Sequence, residues 1–128
     1  GGRVGQWSST IADQLVPYVR PQENGGHADV RRLVVSGHPR NVGAVLVSLD
    51  RPRQVSVLHV TAADLDAATH DDEITQRRRT YLTIDAAHRG VGTASCGPDT
   101  LPQYLVATGT HTWTWTIATV DPLETPSA

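Results

Sequence analysis

The sequence predicts an all-β, antiparallel β-sandwich with one short helix near residues 61–69. Short β-branched runs end in Gly, Pro, Asn or Asp, which is how strands are punctuated. A segment near the C-terminal end alternates apolar and polar side chains with period two. No helix regularly follows each strand, so an α/β layering does not fit.

The first irregular stretch is "PYVRPQENGGHADVRRL", Pro17 to Leu33. Pro17 and Pro21 hold an extended entry because proline fixes φ. Asn24, Gly25 and Gly26 then permit a sharp turn. Arg20, Glu23 and Arg31 are candidates for a buried or half-buried polar cluster tying that turn down. "DVRRLVVSG" (29–37) and "GAVLVSLD" (43–50) read as strands. In "RQVSVLHVT" (53–61), Val55, Val57 and His59 share one face, and Ser56, Leu58 and Val60 the other. Both faces are largely apolar, as in a strand covered on both sides.

At Thr61 the pattern changes to "TAADLDAATH", with Thr61 as N-cap and Asp64 in a weak capping box. The charged "HDDEITQRRR" leads into a strand, "TYLTIDAAH", and then into a loop, "RGVGTASCGPDTLP". "HTWTWTIATV" sets Trp113, Trp115 and Ile117 against Thr112, Thr114 and Thr116. Indole rings demand cover, so the Trp face is expected to be core. "DPLETPSA" (121–128) is a polar tail on a single domain, 1–128.

At 128 residues the chain can bury an ordinary core. A net charge of -2 gives no basic field for nucleic acid or an anionic membrane, and neither partner is expected. No run approaches the roughly 18 apolar residues of a membrane span, and no export signal stands at the N-terminus. The one cysteine, Cys96, excludes an internal disulfide and fits a reducing compartment, so a soluble, cytoplasmic protein is expected. The chain has no Met and starts at "GGRVGQW", which suggests a fragment of a longer protein.

Glycosidic hydrolysis needs two positioned carboxylates. The three glutamates, Glu23, Glu73 and Glu124, and ten aspartates form no motif that identifies such a pair. The six histidines lack HxH or HxxxH spacing for a shared metal ion. "HDDE" (70–73) has hard-cation ligands without EF-hand spacing and reads better as a solvated helix end. "GVGTAS" (90–95) is followed by "CGPDTLP", which cannot open the helix that a dinucleotide loop requires. Cys96 and His88 could be a nucleophile and base only within hydrogen-bond reach, and a packed thiol is the plainer reading. "RRR" (77–79) beside "DDE" reads as an exposed ion-pair cluster. Residue by residue, the chain is a β-sandwich without its own catalytic set.

Several collinear blocks resemble the C-terminal domain of glycoside hydrolase family 2 β-galactosidases. They are "PYVRPQENGGHADVRRLVV", "VSVLHVTAADLDAATHDDEI", "YLTIDAAHRGVGTASCGPDT" and the Trp-bearing final strand, in the family's order within a resemblance that runs from about Gly5 to Val120. The family's preceding glycine-proline-x-glutamate turn is absent. The resemblance therefore implies the later part of a large sandwich, similar to the galactose-mutarotase (aldose-epimerase) type of fold.

It also implies a parent enzyme that hydrolyses terminal β-D-galactose residues, with two catalytic glutamates and Mg²⁺ and Na⁺ sites in an upstream (β/α)₈ barrel. This piece would hold no catalytic residue, metal or cofactor, and alone would be inactive. Its partners would be the upstream domains, the β-galactoside in the parent, and further copies in a homo-oligomer. In the family this domain sends a loop to the edge of the pocket. In the enteric member that loop carries a Gly-Gly-Asp-Asp-Ser-Trp run whose Trp stacks on the sugar. Here it reads "GVGTASCGP", slightly shorter, with Cys96 where the Trp would stand. Cys96, Ser95 and His88 are thus the expected substrate-contacting residues. The alternative is an independent carbohydrate-binding or epimerase-like module, for which His88 and Asp85 would be the nearest acid and base.

Overall fold

The computed structural model describes residues 4–18, 24–37, 43–89 and 97–121. In chain order these form β1 (Gly26–Ser36), β2 (Ala44–Leu58), α1 (Ala62–Ala67), β3 (Tyr81–Ile84) and β4 (Trp115–Val120), with short 3₁₀ turns at Ala12–Gln14, Asp71–Glu73 and Pro102–Tyr104. The fold is all-β and antiparallel with one short helix, as the sequence predicts. The described residues contribute one four-stranded sheet to it.

Every other strand pairs with β2. β1 runs along one edge, from Ser36 opposite Ala44 to Gly26 opposite Ser56. The other edge is shared, with β4 on Ala44 to Leu49 and β3 on Val55 to Leu58. The two runs expected at 43–50 and 53–61 are therefore one continuous strand. Proline lacks an N–H for the ladder and is tolerated in strands at irregularities. The register supplies one: Arg32 faces Ser48, but Val30 faces Arg53, so the extra residues around Pro52 bulge out of the pairing.

β1 begins earlier than the sequence suggests, at Gly26, because a tight turn delivers the chain there. Gly25 sits at φ +61 in the left-handed region. A Cβ on it would lie 2.7 Å from Leu58 Cδ2 and 3.1 Å from the Gln14 carbonyl oxygen. Asn24, only 7% exposed, ties the preceding segment to this turn. Its Oδ1 accepts from the Val16 N–H at 2.9 Å, and its Nδ2 donates to the carbonyls of Val16 and Tyr18 at 2.8 and 3.0 Å.

The small core lies beside this turn. Leu58, Val60 and Leu65 are buried together, with Leu15 and Ile74 packed against them. Leu65 arrives there because α1 starts where the sequence places it. Thr61 Oγ1 accepts from the Asp64 N–H at 3.1 Å while the Asp64 carboxylate accepts from the Thr61 N–H at 2.8 Å, a complete capping box.

The Trp face of β4 departs from expectation. The alternation does mark a strand, but Trp115 is 46% and Ile117 58% exposed, and Trp113 is also exposed. In the antiparallel register Trp115 lies opposite Leu49 and Ile117 opposite Val47, so these side chains extend the apolar face of β2. Val47, at the sheet centre, is fully buried, whereas β4 is an edge strand that no described element covers. Period two identifies a strand, but burial also needs an opposing layer. Among the described residues no helix is long and apolar enough to cross a membrane.

Asn24→Asp retains the shape and the acceptor but replaces the amide nitrogen that donates twice by one oxygen facing two carbonyls, and should cost ~2 kcal/mol or more of stability. Gly25→Ala should cost a similar amount, on the order of 2 kcal/mol, through left-handed strain and the Leu58 contact. Urea unfolding of each variant checks both values.

Candidate functional site

The segment expected to carry the site leaves the sheet at the end of β3 and returns at β4. Its exit is held by backbone pairing beyond the strand, with the Asp85 N–H donating to the Gln54 carbonyl at 3.0 Å. One residue later, the Ala86 carbonyl accepts from Arg53 Nη1 at 2.6 Å. Its return is held by Asp50, whose N–H donates to the Thr114 carbonyl at 3.1 Å. The Thr114 N–H donates back to Asp50 Oδ2 at 3.4 Å.

Arg53 and Asp50 join these two anchors. Arg53 is 5% exposed, and its Nε and Nη2 donate to the two Asp50 carboxylate oxygens at 3.0 and 2.8 Å. A buried guanidinium requires such a paired, hydrogen-bonded setting, and the planar fork suits a carboxylate. The Arg53 contact, with help from the Thr114 and Arg51 amides, outweighs burial and lowers the Asp50 pKa from 3.8 to about 2. The pair occupies the stretch of β2 edge between β4 and β3, where neither strand reaches.

Farther out, Arg89 forms an ion pair with Asp99, and the Asp99 carboxylate also accepts from the Thr100 N–H at 2.6 Å. These contacts lower the Asp99 pKa, the Thr100 amide most and Arg89 next. The residues on either side of 90–96 are thereby drawn together. His88 is exposed at this base and Asp85 half-buried, and each makes a further polar or electrostatic contact. Ser95 and Cys96 lie outside the described residues, as do Arg20 and Glu23 at the opening turn. Arg31 is exposed on β1, while Asn24 and Gly25 build the turn itself.

Two shallow grooves flank α1. One of about 400 Å³ runs between the helix and β2–β3, lined by Leu58, Val60, Leu65, Thr80 and Tyr81. The other, of about 350 Å³, is lined by Asp64, Ala68, Glu73, Ile74 and Arg77. Its charged groups are already engaged. Arg77 Nε donates to Asp64 Oδ2 at 2.8 Å, which with the Thr61 contacts depresses the Asp64 pKa. Glu73 accepts from the Thr69 N–H at 2.7 Å and from its hydroxyl, and its pKa falls to about 2 chiefly through Thr69. Carboxylates held ionised this way suit structure rather than proton transfer at neutral pH. Among the described residues no three His, Cys, Asp or Glu side chains converge as a metal site would need.

Comparison with known proteins supplies the family. The family model described as "Beta galactosidase small chain" matches residues 1–117. The chain belongs to this β-galactosidase small-chain family. A β-galactosidase of Arthrobacter sp. (strain B7) is 35% identical over 106 residues, covering 80% of this chain and 10% of that protein. A β-galactosidase of Bifidobacterium adolescentis is 37% identical over 97 residues, 70% of this chain and 9% of that protein. "Beta-galactosidase 2" of Enterobacter cloacae is 32% identical over 114 residues, 87% of this chain and 10% of that protein. The chain spans about a tenth of the length of these curated relatives.

Within this small-chain domain the Asp50–Arg53 pair escaped the sequence reading. Its signal is "DRPR", two opposite charges flanking a proline inside an otherwise apolar strand. Because Asp50 and Glu73 have depressed folded pKa values, their contributions are present above the ordinary carboxylate pKa and vanish as pH falls through about 2. Stability should hold above roughly pH 5 and decline between about pH 4 and 2. Asp50→Asn should be less stable at neutral pH and show a shallower acid decline, measured by urea unfolding across that range.

Proposed function

We propose that this chain is a non-catalytic domain of a β-galactosidase that cleaves terminal non-reducing β-D-galactose residues. The small-chain family match over residues 1–117 carries this reading. The carboxylates of Asp50, Asp64 and Glu73 support it, since each is engaged by neighbouring donors. In this reading the two catalytic glutamates, with the Mg²⁺ and Na⁺ sites, reside in an upstream barrel of the parent, which works in the cytoplasm as a homo-oligomer. This domain contributes the Ser95–Cys96 loop, with His88 at its base, to the edge of the sugar pocket.

The upstream domains are the proposed cover for the apolar side chains left exposed between Leu101 and Ile117: Leu101, Tyr104, Leu105, Val106 and the Trp face. An apolar surface of this kind suits a packing interface. At the pocket edge a thiol offers a sugar a small soft contact where an indole would offer a broad face.

The chain alone should give no nitrophenyl-β-galactoside hydrolysis, whereas the parent polypeptide should give turnover. Activity from the pure chain, or none from the parent, would overturn the reading. In the parent, Cys96→Ala should change KM for lactose-like substrates more than kcat. Unaltered kinetics across several aglycones would remove Cys96 from the pocket edge.

A further inference from the structure

We propose that the Asp50–Arg53 pair is a positioning device that holds both ends of the β3–β4 segment against the sheet and thereby sets substrate affinity at the pocket edge. This rests on the reading above that the segment borders the pocket.

The geometry is specific to a two-ended clamp. Arg53 spends Nε and Nη2 on Asp50 and directs Nη1 to the Ala86 carbonyl, where the segment departs. Asp50 uses its own backbone N–H and a carboxylate oxygen on Thr114, where the segment returns. Ala86 and Thr114 lie 28 positions apart in sequence, and each bonds to one member of the pair, Ala86 to Arg53 and Thr114 to Asp50. The Arg53 residue is buried in a strand paired on its other edge with β1, so the clamp stands on a rigid element. Side chains held by packing on a strand position a loop more closely than contacts among loop residues do. The Arg89–Asp99 pair draws the segment's inner residues together but is exposed and makes no contact with the sheet among the bonds described. Asp50 and Arg53 therefore decide where the base of the segment sits.

The test uses the full parent polypeptide carrying Arg53→Met, with amide hydrogen exchange and steady-state kinetics as readouts. Loss of the clamp should speed exchange about tenfold or more at residues 86–89 and 97–114 while Val45 to Leu49 keep their protection. KM should rise roughly fivefold or more with kcat within about twofold. Should Arg53→Met not fold, Arg53→Lys keeps the charge but lacks the fork that reaches Ala86, and the same two readouts apply. Unchanged exchange, or protection lost uniformly over the sheet, would overturn the positioning role whatever KM does. Local loosening with an unmoved KM would leave the clamp standing but refute the placement of the segment at the pocket, and with it the effect on affinity.

Discussion

The sheet depends on one constraint: β2 must stay continuous through Pro52, because all other strands pair with it. A proline there removes a ladder donor, and the register shift on the β1 side absorbs that loss. The bulge leaves a stretch of edge that neither β3 nor β4 covers. The buried Arg53–Asp50 pair fills it, with Arg53 donating to the Ala86 carbonyl on one side and Asp50 accepting from the Thr114 N–H on the other. An unpaired guanidinium at this site would be strongly unfavourable, so the pair acts as a unit.

The opening turn meets a comparable demand differently. Asn24 serves three backbone groups with one amide, and Gly25 supplies both a left-handed φ and the room that Leu58 occupies. The N-terminal segment thus joins the core through Leu15 while the chain reverses into β1. The cluster of Leu58, Val60 and Leu65 is small, so satisfied polar contacts at its margin matter to its definition.

Function follows from what the domain presents. Its described carboxylates are largely engaged, its grooves are shallow, and its β3–β4 segment is anchored at the base. The exposed apolar side chains of 101–117 suit a role realised against other parts of a larger enzyme. The proposed role, supporting a pocket rather than housing the chemistry, rests on these features together with family membership.

Much of the fold was legible in local patterns. β-branched runs marked the strands, Thr61 and Asp64 marked the start of α1, and the Asn-Gly-Gly run marked the turn. The collinear blocks, from "PYVRPQENGG" to the Trp strand, identified the family. Pro52 was misleading because a strand break and a bulge look alike until a partner strand sets the register. The Trp face was misleading because alternation reports which side chains share a face and says nothing of what lies opposite. Sequence by itself determined the strand class, the helix cap, the turn and the family, all of which depend on neighbours along the chain. Only the tertiary structure decided that Asp50 and Arg53 meet Ala86 and Thr114, because those contacts join residues up to 64 positions apart and exist only once β2 carries both neighbours on one edge.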